Sequence, residues 1–156
     1  IIGDGPLKPE IERYIQNNGM GATVRLLGFL NYNDYLEQMK NADLFLHPSI
    51  TAADGDSEGG APTTILEAQA LGLPVLSTRH ADIPNIVVPD QSALLSGERD
   101  IAELAANITR LLTDQDCWPR MGAAGRHHVE TFHDVDKEIP RLESFYARLI
   151  ETRKQQ

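Results

Sequence analysis

Brief apolar runs and amphipathic helical stripes take turns along this chain, and that alternation leaves few folds open. Asp43-Leu44-Phe45-Leu46-His47, Pro74-Val75-Leu76-Ser77-Thr78 and Ser92-Ala93-Leu94-Leu95 are short and apolar without strict alternation. Runs of that kind suit strands buried on both faces. Thr23-Val24-Arg25-Leu26-Leu27 reads as a further strand, and Ile1-Ile2 as the tail of one. Between them lie helical stripes. Leu7, Ile11, Tyr14 and Ile15 form the first, ended by Asn17-Asn18-Gly19, and a second helix is expected from about Asn33 to Ala42. Pro62 suits a first helical position, with Ile65, Leu66, Ala68 and Leu71 following and Gly72 as the stop. Asp100 and Glu103 make a capping-box pattern ahead of Ile101, Leu104, Ala105, Ile108, Leu111 and Leu112. Helical stretches at about 116–131 and 137–154 complete the chain, and residues 79–92 read as irregular. The pattern predicts an α/β fold, a Rossmann-like parallel sheet with helices on both faces. Ligands of such sheets bind beyond the carboxyl ends of the strands. The loops at 3–6, 28–32, 47–61 and 78–83 are therefore expected on one rim.

The 156 residues amount to about one domain, or one domain with an appendage. With 41% hydrophobic residues the chain has enough apolar side chains for a core, and disorder is not expected. No apolar run is long enough to span a bilayer. The net charge of −9 argues against a nucleic-acid partner, whose phosphates need a basic face. Cys117 is the only cysteine, which rules out an internal disulfide and a cysteine-based zinc site. It fits a reducing compartment, and a cytoplasmic location is expected. The opening on Ile1-Ile2-Gly3, without Met, leads us to expect a piece of a longer protein.

Three stretches invite chemistry, each with a plainer reading beside it. Gly3-Asp4-Gly5-Pro6 is either a tight turn into a helix or a turn that lets a ligand approach the backbone. It is no dinucleotide fingerprint, because the third glycine would fall at Lys8. Asp54-Gly55-Asp56-Ser57-Glu58-Gly59 resembles half a calcium loop, but the position for the bidentate Glu holds Ile65. No metal is therefore implied. The stretch Glu58-Gly59-Gly60-Ala61-Pro62-Thr63-Thr64-Ile65-Leu66-Glu67 says most. Small residues before a helix leave its first amides open, a ready anion site. Helical side chains lean toward the amino end, so Glu67 is expected to point at those amides, with Glu58 entering from the loop. Two carboxylates repel a bare phosphate but accept well from hydroxyls, so a sugar joined to a phosphate fits both. The plainer reading makes Glu67 a solvent-facing helix residue and Glu58 a loop charge. His47-Pro48-Ser49 closes a strand on the same rim, with His47 either a phosphate contact or a core-edge residue. His127, His128 and His133 are expected at the surface. Trp118 and Met121 are expected in helix packing.

Ile2-Gly3-Asp4-Gly5-Pro6, Leu27-Gly28-Phe29-Leu30, residues 42–49, Glu58-Gly59, Leu66-Glu67-Ala68 and Gly72-Leu73-Pro74-Val75 stand in an order that resembles the retaining glycosyltransferases of family 4. Roughly residues 1–131 look like the C-terminal, nucleotide-sugar-binding half of a GT-B fold. The stretch from Pro48 to Glu67 is most similar to bacterial enzymes of the colanic-acid and exopolysaccharide type. The resemblance implies that Glu58 and Glu67 are the catalytic pair, Glu58 at sugar hydroxyls and Glu67 at ribose hydroxyls. It implies a donor-binding set of Gly3, Gly5, Leu30, His47, Ser49, Gly59, Gly60, Ala61, Pro62 and Thr63. Gly59, Gly60 and Ala61 would offer amides to sugar and diphosphate, and Leu30 would border the base. The implied partners are a nucleotide diphosphate sugar, an N-terminal acceptor domain of the same chain, and an acceptor glycan or lipid-linked glycan. No cofactor beyond the donor is implied, and the full-length protein would meet the membrane peripherally. The fragment alone is expected to be inactive, and the last helix, 132–156, to reach the N-terminal domain. Eight residues separate Glu58 from Glu67, one more than the family pattern carries. The family's phosphate-binding Arg and Lys precede its GDGP turn, ahead of the first residue here. Two other readings stay open: a nucleotide-sugar epimerase-like enzyme, and a non-catalytic interaction module on the same fold.

Overall fold

A computed structural model describes residues 1–57 and 60–154, and its contacts divide the chain into two units, Ile1–Asn41 and Ala42–Gln156. In the first unit, α1 (Lys8–Asn17) carries Pro9 in its opening turn, where the missing amide costs nothing. It stops where Gly19 takes φ 65° and Met20 N–H donates to the Ile15 carbonyl at 2.9 Å. Helix α2 (Tyr32–Lys40) is capped by Asn31, whose Oδ1 accepts from Asp34 N–H at 3.0 Å. Ile15 and Met39 are the buried residues of these helices.

The strand expected at Thr23–Leu27 does not form. Ile2 and Gly28 make a single parallel bridge, with Leu27 N–H donating to Ile1 (2.9 Å) and Gly3 N–H to Gly28 (2.8 Å).

In the second unit the expected apolar runs become a parallel sheet in the order β1 (Phe45–His47), β2 (Val75–Thr78), β3 (Ala93–Ser96). Phe45 pairs with Val75, and Val75 with Ala93. The central strand β2 is buried throughout. Helix α3 (Thr63–Ala70) joins β1 to β2 and packs on both; α5 (Ile101–Thr113) follows β3 and packs on β2 and β3. Leu76 and Leu94 meet Leu111 and Met121 in a core that Ile108 and Trp118 extend. Trp118 and Met121 are therefore packing residues, as expected; Trp118 Nε1 also donates to the Leu111 carbonyl at 2.9 Å. The region 79–92 is less irregular than its sequence implies, because Pro84 starts a short helix, α4 (Ile83–Ile86). A 3-10 turn (Gln115–Cys117) leads into α6 (Trp118–Phe132), and α7 (Val135–Lys154) ends the described chain.

Helix α6 docks on α3 by backbone proximity. A Cβ on Gly122 would lie 2.0 Å from the Gly72 carbonyl oxygen, and one on Gly125 would lie 3.0 Å from Gln69 Cγ. Beneath that contact Gln69 is fully buried. Its Nε2 donates to the Ile86 carbonyl at 2.7 Å, and its Oε1 accepts from Ser92 Oγ at 3.0 Å. The residues between β2 and β3 are thereby tied to α3.

Candidate functional site

The carboxyl ends of β1, β2 and β3 open onto three loops, and the expected binding residues of the second unit sit on the first of them. His47 ends β1 half-buried, its ring stacked on Phe45 with centroids 5.9 Å apart. Its carbonyl accepts from Ser77 Oγ at 2.5 Å. Ser49 is buried, and its carbonyl accepts from Thr78 Oγ1 at 2.5 Å. Two hydroxyls of β2 thus hold the exit of β1. Glu58 and Gly59 lie outside the described residues. Gly60 takes φ 65°, and its carbonyl accepts from Asp82 N–H at 3.3 Å, linking this loop to the one after β2.

Pro62 is the N-cap of α3 rather than its first helical residue. Its ψ of 120° keeps it extended, and Ile65 N–H turns back to its carbonyl at 3.1 Å. Among the described residues no side chain caps this helix. A helix start without a side-chain cap leaves its first amides to whatever polar group comes near, and the positive end of the dipole faces the same way. Thr63 begins the helix exposed, and Ala61 and Pro62 are half-buried. Thr64 Oγ1 is buried without a hydrogen-bond partner among the described residues. Glu67 stands one turn further on, half-buried, between buried Ile65 and Ala68.

Gly3, Gly5 and Leu30 belong to the first unit. Gly3 has φ 123°, a conformation that disfavours side chains. The Gly5 amide is not open: it donates to Asp4 Oδ1 at 2.8 Å. Asp4 also pairs with Lys8 at 2.8 Å. Lys8 beside it, then the Gly5 amide, hold the Asp4 carboxyl below its usual range, and Asp4 in turn raises the Lys8 ammonium. Leu30 is half-buried beside Phe29, which is 88% exposed.

Sequence reasoning missed the polar cluster that follows β2 and β3. His80 is 2% exposed. Its Nδ1 lies 2.7 Å from Glu98 Oε1 and its Nε2 lies 3.1 Å from Ser57 Oγ. Glu98 Oε2 accepts Thr51 N–H at 2.8 Å, and Arg99 Nη2 donates to the Thr51 carbonyl at 2.5 Å. The Thr51 amide, then His80, hold the Glu98 carboxyl below the usual carboxylate range. The turn bearing Glu98 and Arg99 is itself braced. Glu103 Oε2 accepts Gly97 N–H at 2.7 Å and Arg79 Nη2 at 2.6 Å. Arg79 first and Gly97 second also lower the Glu103 carboxyl. A cleft of about 150 Å³ lies beside this turn, between Pro48 and Ile50 on one side and Gly97, Ile101 and Leu104 on the other.

His128 and His133 are half-buried rather than at the surface. Their ring centroids are 5.2 Å apart, and both Nε2 atoms are buried without a partner among the described residues. Burial first, and His133 second, push the His128 pKa down. Among the described residues no group of three His, Cys, Asp or Glu side chains is placed to hold a metal ion, and no helix is long and apolar enough to cross a membrane.

A parallel three-stranded sheet flanked by helices is the fold this chain shares with GT-B glycosyltransferases. The sequence pattern of Glycosyl transferases group 1 matches residues 1–128, and the chain belongs to that family. It is 38% identical over 131 residues to the amylovoran biosynthesis glycosyltransferase AmsK of Erwinia amylovora, covering 84% of this chain and 32% of that protein. It is 38% identical over 140 residues to WcaL of Escherichia coli K12, named for colanic acid biosynthesis, covering 89% and 34%. The chain thus spans about a third of the length of these relatives. Among solved structures, Anabaena Alr3699/HepE in complex with UDP superposes with a TM-score of 0.81 at 20% identity, over 94% of this chain and 40% of that one. The C-terminal domain of the group 1 protein LpcC from Francisella tularensis gives 0.69 at 21%, over 83% and 63%.

Proposed function

We propose that this chain is the donor-binding domain of a retaining glycosyltransferase. The whole enzyme moves a sugar from a nucleotide diphosphate sugar to an acceptor hydroxyl in polysaccharide biosynthesis. One observation carries the reading: a group 1 match over residues 1–128 that includes Glu67, half-buried one turn into an uncapped helix. The HepE structures hold UDP and UDP-glucose, which supports a nucleotide-sugar donor. In transfer the bond from the anomeric carbon to the diphosphate oxygen breaks and a bond to the acceptor oxygen forms. The acceptor proton leaves on the diphosphate. Charge grows on the leaving group, where the amino end of α3 is a fixed donor; removing one donor of that kind costs on the order of 10²–10³ in rate. Glu67 accepts from ribose hydroxyls and Glu58 from the sugar. Gly3, Gly5, Leu30, His47, Ser49, Gly59, Gly60, Ala61, Pro62 and Thr63 are the donor-binding set. The acceptor site and further phosphate-binding cations lie in a longer cytoplasmic chain, so this portion alone transfers no sugar.

Calorimetric titration of the chain with UDP, GDP, UDP-glucose and GDP-mannose tests the reading. Saturable binding of at least one is expected, without turnover. Binding of none would sink it, and multiple-turnover transfer by the chain alone would refute the division of labour.

A further inference from the structure

The cluster around His80 joins three loops that leave three neighbouring strands, and nothing in the donor reading uses it. Thr51 belongs to the loop after β1, and both of its peptide groups are taken by side chains from the loop after β3. Ser57, six residues further along, is held by His80 from the loop after β2. A carboxylate only accepts, so Nδ1 of His80 donates to Glu98, and Nε2 shares a hydrogen bond with the Ser57 hydroxyl. A buried histidine bonded on both sides has a fixed ring orientation, and the segment between its contacts is held at two points. Ser57 immediately precedes Glu58 in the sequence.

We propose that His80, Glu98 and Arg99 are positioning residues that clamp the 51–57 segment and so set the sugar-side part of the donor site. The inference rests on the donor reading above. It assigns the clamp to discrimination of the sugar, not to affinity for the nucleotide. The three residues touch peptide groups and a hydroxyl of the loop and act through it.

The test uses the 156-residue chain with Ser57→Ala, His80→Asn and Glu98→Ala. Ser57 is exposed, so its variant keeps the fold. Asn at 80 can still reach Glu98 but not Ser57. Two quantities are read: hydrogen exchange at the Thr51 amide, and the ratio of affinities for UDP-glucose and UDP. Glu98→Ala is expected to speed Thr51 exchange at least tenfold. Ser57→Ala and His80→Asn are expected to weaken UDP-glucose by about tenfold, as for loss of a strong hydrogen bond, and to leave UDP within twofold. Unchanged exchange and an unchanged ratio in every variant would overturn the clamp. Equal loss of both ligands with a lowered melting temperature would overturn it too, because that is what a purely structural cluster does. Labelling of Ser57 by a fluorophosphonate would overturn it in favour of a nucleophilic serine. If the wild-type chain bound neither ligand, the donor reading would fall and the sugar assignment with it, while Thr51 exchange would still decide whether the loop is clamped.

Discussion

Glu67 is a half-buried carboxylate on α3, in a chain of net charge −9. Such a group is worth keeping where something must be accepted. Glu67→Ala is expected to weaken donor binding by about 1.5–3 kcal/mol, the usual worth of hydrogen bonds to a charged acceptor. Unchanged affinity in a titration would remove Glu67 from the site. Gln69, two residues on, makes a different case. Its amide meets the Ile86 carbonyl and Ser92 Oγ in full burial. Gln69→Leu strands both, and about 1–3 kcal/mol of unfolding free energy is expected to go, measurable in urea. Donor affinity and urea stability measured on both substitutions read binding and folding along one helix.

Between elements, the closest approach is at Gly122, where α6 meets the turn that ends α3. Gly122→Ala puts a methyl group against the Gly72 carbonyl oxygen, and backbone cannot swing aside as a side chain can. A loss of about 1–3 kcal/mol is expected, read as a lower Tm, with Gly125→Ala milder because Gln69 Cγ is its nearest neighbour. No periodicity in the sequence marks either glycine as a contact. What is legible there is local. The strands at 45, 75 and 93 show as short apolar runs, and α3 shows as a stripe between Pro62 and Gly72. The capping box at Asp100 is half as written: Asp100 Oδ1 accepts Glu103 N–H at 2.9 Å, but the Glu103 carboxylate turns to Gly97 and Arg79. Thr23–Leu27 has strand composition yet forms no strand, and the neighbouring Gly28 makes only an isolated bridge to Ile2. The His80 cluster joins residues 18 and 23 positions apart, each unremarkable in its own loop. Around the candidate site, the start of α3 could be read from residue types, whereas the groups that hold the preceding loop come from loops far along the chain.

Across the molecule, ionisation divides stability into two pH windows. His128 has its pKa lowered from the ordinary 6.5 by burial and by His133, with His127 adding to the effect and the backbone bond to Asn85 opposing it. The unfolded chain therefore takes up that proton first. Stability is fully present above about pH 6.5 and declines as pH falls through the lowered folded value. Asp4, Glu98 and Glu103 are also lowered, so their contribution is present above the ordinary carboxylate range and is lost in a more acidic window. Urea midpoints measured between pH 7.5 and 5.5 are expected to fall, and His128→Phe to flatten that slope without touching the acid limb. An unaltered slope would clear His128 of the effect.

The grip on Thr51 engages its N–H and C=O, a pair of atoms that every amino acid except proline offers, and the Thr51 side chain adds a further bond to Glu98. The main-chain share of that anchorage asks for no particular side chain at position 51, whereas position 57 is held through a hydroxyl and so tolerates fewer replacements.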